Sequence, residues 1–278
     1  MEINLENYSV LMSVYKKENP LYLDESISSI LSQTALTNDF VLVCDGPLTD
    51  ELDSVIEKYT NKYPELFQIV RLEKNMGLGN ALNKGMTFCK NELVARMDSD
   101  DIALPERCMR QIEQFEKDGK LDIVSGTVLE FVGSTDNIIS KKSLPETNDE
   151  IRRYARKRCP FNHPVVMYKK SSVQKAGGYL DFPLFEDYYL WVRMLAGGVR
   201  AYNIEEPLAF MRSGEDMYSR RGGFGYLKKV VKFRTYMLKN HYCGFTDYAV
   251  ALGGQILVCL MPVKLRMKLY TKMLRNGE

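Results

Sequence analysis

Short apolar runs alternate with amphipathic stretches through residues 1–120, and this alternation is the strongest constraint on the fold. Strands and helices in turn are typical of a mostly parallel sheet covered by helices on both faces. The apolar runs predict strands at residues 8–15, 40–45, 67–72 and 93–97. Apolar residues three and four apart predict helices at residues 24–33, 50–63, 79–90 and 105–117, with Pro105 in a first helical turn. The expected fold class is α/β.

Composition and charge divide the chain into an acidic body and a basic tail. The 278 residues are 45% apolar and 27% charged, which is ordinary for one large globular domain or two small ones. From Arg220 to the end of the chain there are twelve basic and two acidic residues, a balance of +10. The preceding residues carry 26 basic and 34 acidic side chains, a balance of −8.

The cysteines and the amino terminus predict a protein of a reducing compartment. The six cysteines are scattered without a C-x-x-C pair, so they are expected to be buried thiols, neither a zinc site nor a disulfide framework. The amino terminus has no basic residue before Lys16 and no continuous apolar segment. A secretory signal is therefore not expected.

Three carboxylates, Asp98, Asp100 and Asp101, follow the fourth predicted strand within four residues. Ionised carboxylates repel one another and lose free energy when they are desolvated, so this position favours a cation. Oxygen ligands suit Mg²⁺ or Mn²⁺, and Mg²⁺ commonly completes its coordination with water and substrate phosphates. The alternative is a solvated acidic turn in which Asp101 caps the next helix.

Polar residues also follow the other predicted strands. Tyr15 ends the first strand, Asp45 ends the second, and Asn75-Met76-Gly77 follows the third. Ligands of parallel sheets bind beyond the carboxyl ends of the strands, so these groups predict a nucleotide-diphosphate site. Taken singly, Asp45-Gly46-Pro47 is a common turn, and the glycine-rich stretch is neither G-x-G-x-x-G nor a P-loop.

Together these motifs resemble the family 2 inverting glycosyltransferases, whose nucleotide-sugar domain has the GT-A fold. The run that ends at Tyr15 looks like the opening strand, and Asp98-Ser99-Asp100 looks like the metal-binding D-x-D motif. Asp45 resembles the aspartate that contacts ribose or base, although many members have two aspartates there. The remaining matches are the N-x-G loop at Asn75 and Gly77 with Asn83, and an E-D motif at Glu186-Asp187.

Three further motifs resemble the branch that builds bacterial O-antigens, capsules and exopolysaccharides such as amylovoran. They are Asn162-His163-Pro164, Gly177-Gly178-Tyr179 and Arg220-Arg221-Gly222-Gly223. The resemblance implies a UDP-sugar donor and an undecaprenyl-diphosphate-linked N-acetylhexosamine acceptor. Glucose or galactose is the favoured sugar. The expected product has a β-glycosidic linkage, with β-1,3 favoured.

The resemblance also implies a role for each site residue. Asp187 is the expected catalytic base and Glu186 an acceptor-side residue, with a helix start complementing its dipole as the alternative. Mn²⁺ or Mg²⁺ is expected at Asp98 and Asp100. His163 is expected to contact the metal, as a third ligand, or else the diphosphate or the acceptor, with a hydrogen-bonded structural histidine as the alternative. The expected donor-binding residues are Tyr15, Asp45, Asn75, Gly77, Asn83, Asp98, Arg220 and Arg221. The alternative for the two arginines is a solvated linker.

The tail predicts contact with a membrane surface. Residues 248–261 are uncharged but too short to span a bilayer, and basic residues alternate with apolar ones after Pro262. This pattern fits an interfacial helix on an anionic leaflet, or else a helical pair packed on the body. The expected division is a GT-A domain at 1–220, with a nucleotide-sugar half at 1–118 and an acceptor half at 119–220, and a helical region at 221–278. The expected location is the cytoplasmic face of the inner membrane.

Two other protein classes are compatible with parts of the sequence. A nucleotidyltransferase also uses paired carboxylates and metals, but the phosphate-cradling signature expected near its first strand is missing. A basic nucleic-acid-binding protein would explain the tail and leave the acidic motifs without a purpose. We therefore expect a metal-dependent inverting glycosyltransferase that does not bind nucleic acid.

Overall fold

The computed structural model describes residues 7–213 and 223–262. Within this part of the chain, the strands are β1 (Tyr8–Val14), β2 (Asp39–Cys44), β3 (Phe67–Arg71), β4 (Leu93–Asp98), β5 (Ile102–Ala103), β6 (Leu121–Val132), β7 (Ser134–Lys142), β8 (Met167–Lys169) and β9 (Arg200–Arg212). The helices are α1 (Pro20–Leu31), α2 (Asp50–Lys62), α3 (Leu78–Met86), α4 (Arg107–Lys117), α5 (Asn148–Ala155), α6 (Lys170–Lys175), α7 (Glu186–Ala196), α8 (Gly223–Lys239) and α9 (Phe245–Leu260). A 3₁₀ turn covers His163–Val165.

One sheet runs through the molecule in the order β3-β2-β1-β4-β8-β6-β9-β5, with β7 added to β6. The first four strands are parallel to their neighbours, as the alternating sequence predicts. Strand β8 pairs antiparallel with both β4 and β6, and β6 pairs parallel with β9. The α/β prediction is confirmed. The same sheet joins the described part of the predicted nucleotide-sugar half, residues 7–118, to that of the predicted acceptor half, residues 119–213.

The four predicted strands agree with β1–β4 to within one residue at each end, whereas three helices differ. Helix α1 begins at Pro20, because the Asn19 side chain accepts a hydrogen bond from the Leu21 amide and Pro20 fits a first helical position. Helix α3 ends at Met86 instead of residue 90, and α4 begins at Arg107. Pro105 therefore precedes its helix.

Each face of the sheet buries a separate apolar layer. One layer lies against α1, α2 and α4, and the other lies against α3 and α7. Helix α3 can approach β1 and β2 closely because it carries Gly85, where a Cβ would lie 2.5 Å from both Leu11 Cδ1 and Val43 Cγ2. Trp191 of α7 is fully buried in the second layer. Both α3 and α7 thereby have fixed positions beside the carboxyl ends of the strands.

Helix α8 packs on α7 through aromatic side chains. The rings of Phe185 and Phe233 stack 4.7 Å apart, and the Tyr189 hydroxyl donates to the Tyr236 hydroxyl at 2.8 Å. Helix α8 thus packs on the body. The basic and apolar residues after Pro262, for which an interfacial helix is the prediction, lie outside the described residues. Helix α9 packs on α8. Among the helices described, none combines the length and apolar content that crossing a bilayer requires.

The cysteines are free thiols, as the sequence predicts. Five are buried and Cys159 is half-buried. Burial raises the pKa of the Cys44 thiol to about 11 and that of the Cys89 thiol to about 12. These two thiols are therefore un-ionised at neutral pH, which suits an apolar core and not a reactive centre.

Candidate active site

The turns that follow β1, β2 and β4 meet at one edge of the sheet. The Asp45 amide donates to the carbonyl oxygen of Val14 at 2.8 Å. The Ser99 hydroxyl donates to a Glu18 carboxylate oxygen at 2.5 Å, which joins the turn after β1 to the acidic turn after β4. Tyr15 lies in the same region with 42% of its surface exposed. The convergence of strand ends predicted from the sequence is present.

The carboxylates of Asp98, Asp100 and Asp101 form a compact cluster at this edge. One oxygen from each lies within 4.8 Å of the others. Asp101 is fully buried and accepts a hydrogen bond from the Arg212 amide at 2.7 Å. The alternative in which Asp101 caps the next helix is wrong, because α4 begins at Arg107 with Glu106 as its cap residue.

The cluster is electrostatically costly in its charged state. Burial, together with the neighbouring charges of Asp98 and Glu18, raises the pKa of the Asp100 carboxyl to about 7. Burial also raises the pKa of Asp101, with Asp100 and Asp98 adding to the effect. A divalent cation would relieve this repulsion, and a set of carboxylate oxygens is the donor chemistry that Mg²⁺ and Mn²⁺ prefer. The residues present fit the expected metal.

Arg96 is part of this site and was given no role from the sequence. Its side chain is 1% exposed, and both terminal nitrogens donate to the two oxygens of Asp98, with Nη1–Oδ2 at 2.5 Å. The sequence contained the signal, because residues two apart on a strand lie on the same face. Arg96 and Asp98 stand in this relation on β4.

Asp45 holds the N-x-G loop. Its carboxylate oxygens accept hydrogen bonds from the Met76 amide at 2.6 Å and the Gly77 amide at 3.0 Å. The Asn75 side chain donates to the Asp45 carbonyl at 3.2 Å, and Gly77 has a φ of +85°, which suits glycine. Asp45 is 4% exposed. In this structure both of its carboxylate oxygens are therefore engaged with the loop backbone.

Asn83 fixes a second loop. Its side chain donates to the carbonyl of Tyr179 at 2.6 Å and accepts from the Tyr179 amide at 2.8 Å. Gly178 has a φ of +66°, and a Cβ there would lie 2.6 Å from the Asn83 Oδ1. Arg193 of α7 donates to the Gly178 carbonyl at 2.7 Å. The structure thus places Asn83 under the loop that carries Tyr179.

His163 lies apart from the acidic cluster. Its Nε2 is 3.0 Å from the Tyr179 hydroxyl, and its ring packs against Trp191 with centroids 5.9 Å apart. Burial lowers its pKa well below the usual value, with Arg96 adding to the effect. The cluster found in the described residues consists of the three aspartates alone. The geometry favours the hydrogen-bonded structural histidine over the third metal ligand.

Glu186 and Asp187 occupy the first turn of α7, as predicted. The helix is preceded by Leu184, whose φ of +75° is unfavourable for leucine and is typical of strained positions at functional sites. The Cys159 thiol lies 3.7 Å from Asp187 Oδ2. Burial raises the pKa of the Glu186 carboxyl, and Asp187 and Asp181 add to the effect.

A groove connects the N-x-G loop with the E-D motif. On one side lie residues 76–80, and on the other lie Tyr179, Leu180, Asp181 and Glu186. A Cβ at Gly79 would lie 3.2 Å from Tyr179 Cβ, which is a tight contact, and 3.7 Å from Glu186 Cγ, so glycine lets the two sides approach without displacing Tyr179. The predicted donor residues Arg220 and Arg221 lie outside the described residues.

Comparison with known proteins identifies the class. Residues 9–176 match the Glycosyl transferase family 2 domain, so the chain belongs to that family of glycosyltransferases. This segment contains the strand ends, the acidic cluster, the N-x-G loop and His163.

Two bacterial relatives match the chain over almost its full length. The UDP-Gal:alpha-D-GlcNAc-diphosphoundecaprenol beta-1,3-galactosyltransferase of Escherichia coli is 36% identical over 276 residues, 99% of each chain. The amylovoran biosynthesis glycosyltransferase AmsE of Erwinia amylovora is 38% identical over 265 residues, 95% of this chain and 98% of the relative.

Solved structures show that the fold is GT-A. The mannosyltransferase PcManGT of Pyrobaculum calidifontis, in complex with GDP-Man and Mn²⁺, has a TM-score of 0.64. It is 14% identical, and the match covers 98% of this chain and 76% of that one. Residues 1–349 of TarS of S. aureus, in complex with UDP, give a TM-score of 0.58 at 17% identity, covering 82% and 65% of the two chains.

The contacts of Asp45 predict a structural effect of Asp45→Asn in the absence of nucleotide. The amide nitrogen would face one of the two backbone amides, so the free energy of unfolding should fall by about 1–3 kcal/mol in urea titrations. Asp181→Asn is the matched control, because Asp181 is an exposed carboxylate that lines the groove beside the N-x-G loop and the same substitution removes its charge. Unchanged stability together with lost UDP binding would show that Asp45 acts on the ligand and not on the loop.

Proposed function

We propose that the chain transfers a hexose, galactose or glucose, from a UDP-sugar to an N-acetylhexosamine linked to undecaprenyl diphosphate. The transfer inverts the anomeric centre and forms a β-glycosidic bond, with β-1,3 favoured. The observation that carries this proposal is the pairing of two acidic sites around one residue. Burial raises the pKa of the Tyr179 hydroxyl, and the charges of both Asp187, at the start of α7, and Asp98, at the end of β4, add to the effect, so both carboxylates act on this side chain.

The donor is proposed to bind along the carboxyl edge of the sheet. Asp45 holds the N-x-G loop in place, and exposed Tyr15 at the end of β1 is available to the nucleotide. Asp100 and Asp98 would hold Mn²⁺ or Mg²⁺, which would supply charge stabilisation to the departing diphosphate. Arg220 and Arg221 are proposed to contact the same diphosphate, because arginine suits bidentate phosphate binding.

The acceptor is proposed to be activated by Asp187. An attacking alcohol must lose its proton, and a carboxylate on the opposite side of the sugar from the leaving group can accept it. Asp187 is half-buried at a helix start, beside the groove lined by Glu186. One displacement of this kind inverts the anomeric centre, so an α-linked UDP-sugar gives a β-linked product. Glu186 is proposed to bind acceptor hydroxyls in the groove.

The acceptor class is proposed from the full-length relatives. One of them is named for transfer of galactose to GlcNAc-diphosphoundecaprenol, and the other for amylovoran biosynthesis. Because both match this chain through the carboxyl-terminal region, we extend the lipid-linked acceptor to it. The specific sugar and linkage belong to the same proposal.

The outer face of α9 supports a location at a membrane surface, proposed to be the cytoplasmic face of the inner membrane. Its exposed side chains recur at helical spacing and include no charge: Phe245, Thr246, Ala249, Val250, Gly253, Gly254 and Leu257. Phe245 and Leu257 are 74% and 64% exposed. Exposed cations at Arg153, Arg156 and Arg158 lie on α5 and the turn that follows it, which meets α9 through the ion pair of Lys157 with Asp247. An apolar helix face with cations nearby fits the surface of an anionic leaflet.

The catalytic proposal predicts release of UDP that depends on both Mn²⁺ and acceptor. Purified protein is assayed with UDP-galactose, UDP-glucose and UDP-GlcNAc in the presence of a GlcNAc-diphosphate-lipid analogue. Asp187→Asn should lower turnover by about 10²–10⁴ while leaving UDP binding intact, because only proton removal is lost. Glu116→Gln is the control, since Glu116 is an exposed carboxylate on α4.

The outcomes separate the parts of the catalytic proposal. Mn²⁺-dependent UDP binding without turnover of any donor would reject the acceptor and keep the donor site. Full activity of Asp187→Asn would reject Asp187 as the base.

The membrane proposal predicts co-sedimentation of the full chain with vesicles that contain phosphatidylglycerol. Val250→Asp and Leu257→Asp should each weaken binding, because they place a carboxylate on the uncharged face. Leu36→Asp is the matched control, since Leu36 is 69% exposed but lies outside the carboxyl-terminal helices. Equal binding of all three variants would show that α9 does not face the lipid.

A further inference from the structure

Arg96 is a buried cation that forms an ion pair with one carboxylate of the acidic cluster, that of Asp98. Its side chain is 1% exposed, and Nη1 and Nη2 both donate to Asp98. The remaining nitrogen, Nε, is buried and has no hydrogen-bond partner. If Asp98 turned away, the guanidinium would become an unpaired charge in the interior, which is strongly unfavourable.

A second cation beside the cluster, Arg212, makes no ion pair with its carboxylates among the described residues. Arg212 donates from its backbone amide to Asp101 and from Nε to the carbonyl oxygen of Asp100. Its terminal nitrogen Nη2 pairs with Glu25 at 2.5 Å. Within residues 7–213 and 223–262, Arg96 is therefore the one cation paired with a carboxylate of the cluster.

A metal cation at the cluster and Arg96 would both bind the carboxylate of Asp98. The cluster offers three carboxylates within 4.8 Å, and one of them already has both oxygens engaged. A cation that enters must share Asp98 with the guanidinium and is repelled by its positive charge. A nucleotide diphosphate carries negative charge to the same place, which offsets this repulsion.

We propose that Arg96 is a resident counter-ion that competes with the divalent cation for Asp98 and thereby makes cation binding depend on the nucleotide diphosphate. This inference rests on the metal and donor site of the proposed function. By linkage, the nucleotide tightens cation binding by the same factor as the cation tightens nucleotide binding. Arg96 is a positioning residue in this account, because it acts through Asp98.

The test measures Mn²⁺ affinity directly, by titration with detection of free Mn²⁺ by electron paramagnetic resonance, with and without UDP. Without UDP, Arg96→Met should bind Mn²⁺ at least about tenfold more tightly than the original chain, because a nearby positive charge is gone. The factor by which UDP increases Mn²⁺ affinity should be smaller in Arg96→Met than in the original chain. Arg96→Gln is also neutral, retains a hydrogen-bond donor for Asp98, and carries the same expectation if Arg96→Met does not fold.

Two further variants separate charge from structure. Arg96→Lys keeps the charge and should bind Mn²⁺ with nearly the original affinity. Arg71→Met removes a charge from an exposed pair with Asp53 and should leave Mn²⁺ affinity unchanged. Folding of each variant is checked by thermal unfolding.

The result that overturns the inference is equal or weaker Mn²⁺ binding by the folded neutral variants, with UDP-dependent Mn²⁺ binding of the original chain intact. In that case the donor site stands and only the role of Arg96 falls. Absence of Mn²⁺ binding to the original chain, even with UDP, overturns the inference together with the proposed metal site.

Discussion

Repulsion among the carboxylates at the end of β4 is the constraint on which the functional edge of the structure depends. One carboxylate oxygen from each of three aspartates lies within 4.8 Å of the others, and burial raises the pKa of two of them, Asp100 and Asp101. The ion pair from Arg96 to Asp98 and a backbone hydrogen bond to Asp101 offset part of this cost. A site that remains strained without a cation is suited to binding one when substrate arrives.

The rest of the fold holds loops against this edge by means of polar side chains that point inward. Asp45 holds the loop before α3, and Asn83 of α3 holds the loop that carries Tyr179. Arg193 of α7 binds the same loop from the other side. The N-x-G loop and the E-D motif are thus connected through α3 and α7, whose apolar faces are buried in one layer.

The sequence was sufficient to predict the four parallel strands and the residues at their ends, because apolar runs and chain order determine that part of the sheet. It could not show that β8 inserts between β4 and β6, since Met167–Lys169 is too short to carry a periodic signal. Side-chain partners were hidden for a different reason. Asp45 and His163 have polar neighbours supplied by residues distant in sequence, so only the folded chain assigned them to a loop and to Tyr179.

The most direct test of the acidic cluster as a metal site is crystallographic location of Mn²⁺, from its anomalous scattering, in crystals of the full chain grown with UDP. We expect a Mn²⁺ peak in contact with the Asp100 carboxylate and with the diphosphate of a UDP molecule at the carboxyl edge of the sheet. Bound UDP with no Mn²⁺ at the acidic cluster, or Mn²⁺ bound elsewhere, would contradict this assignment.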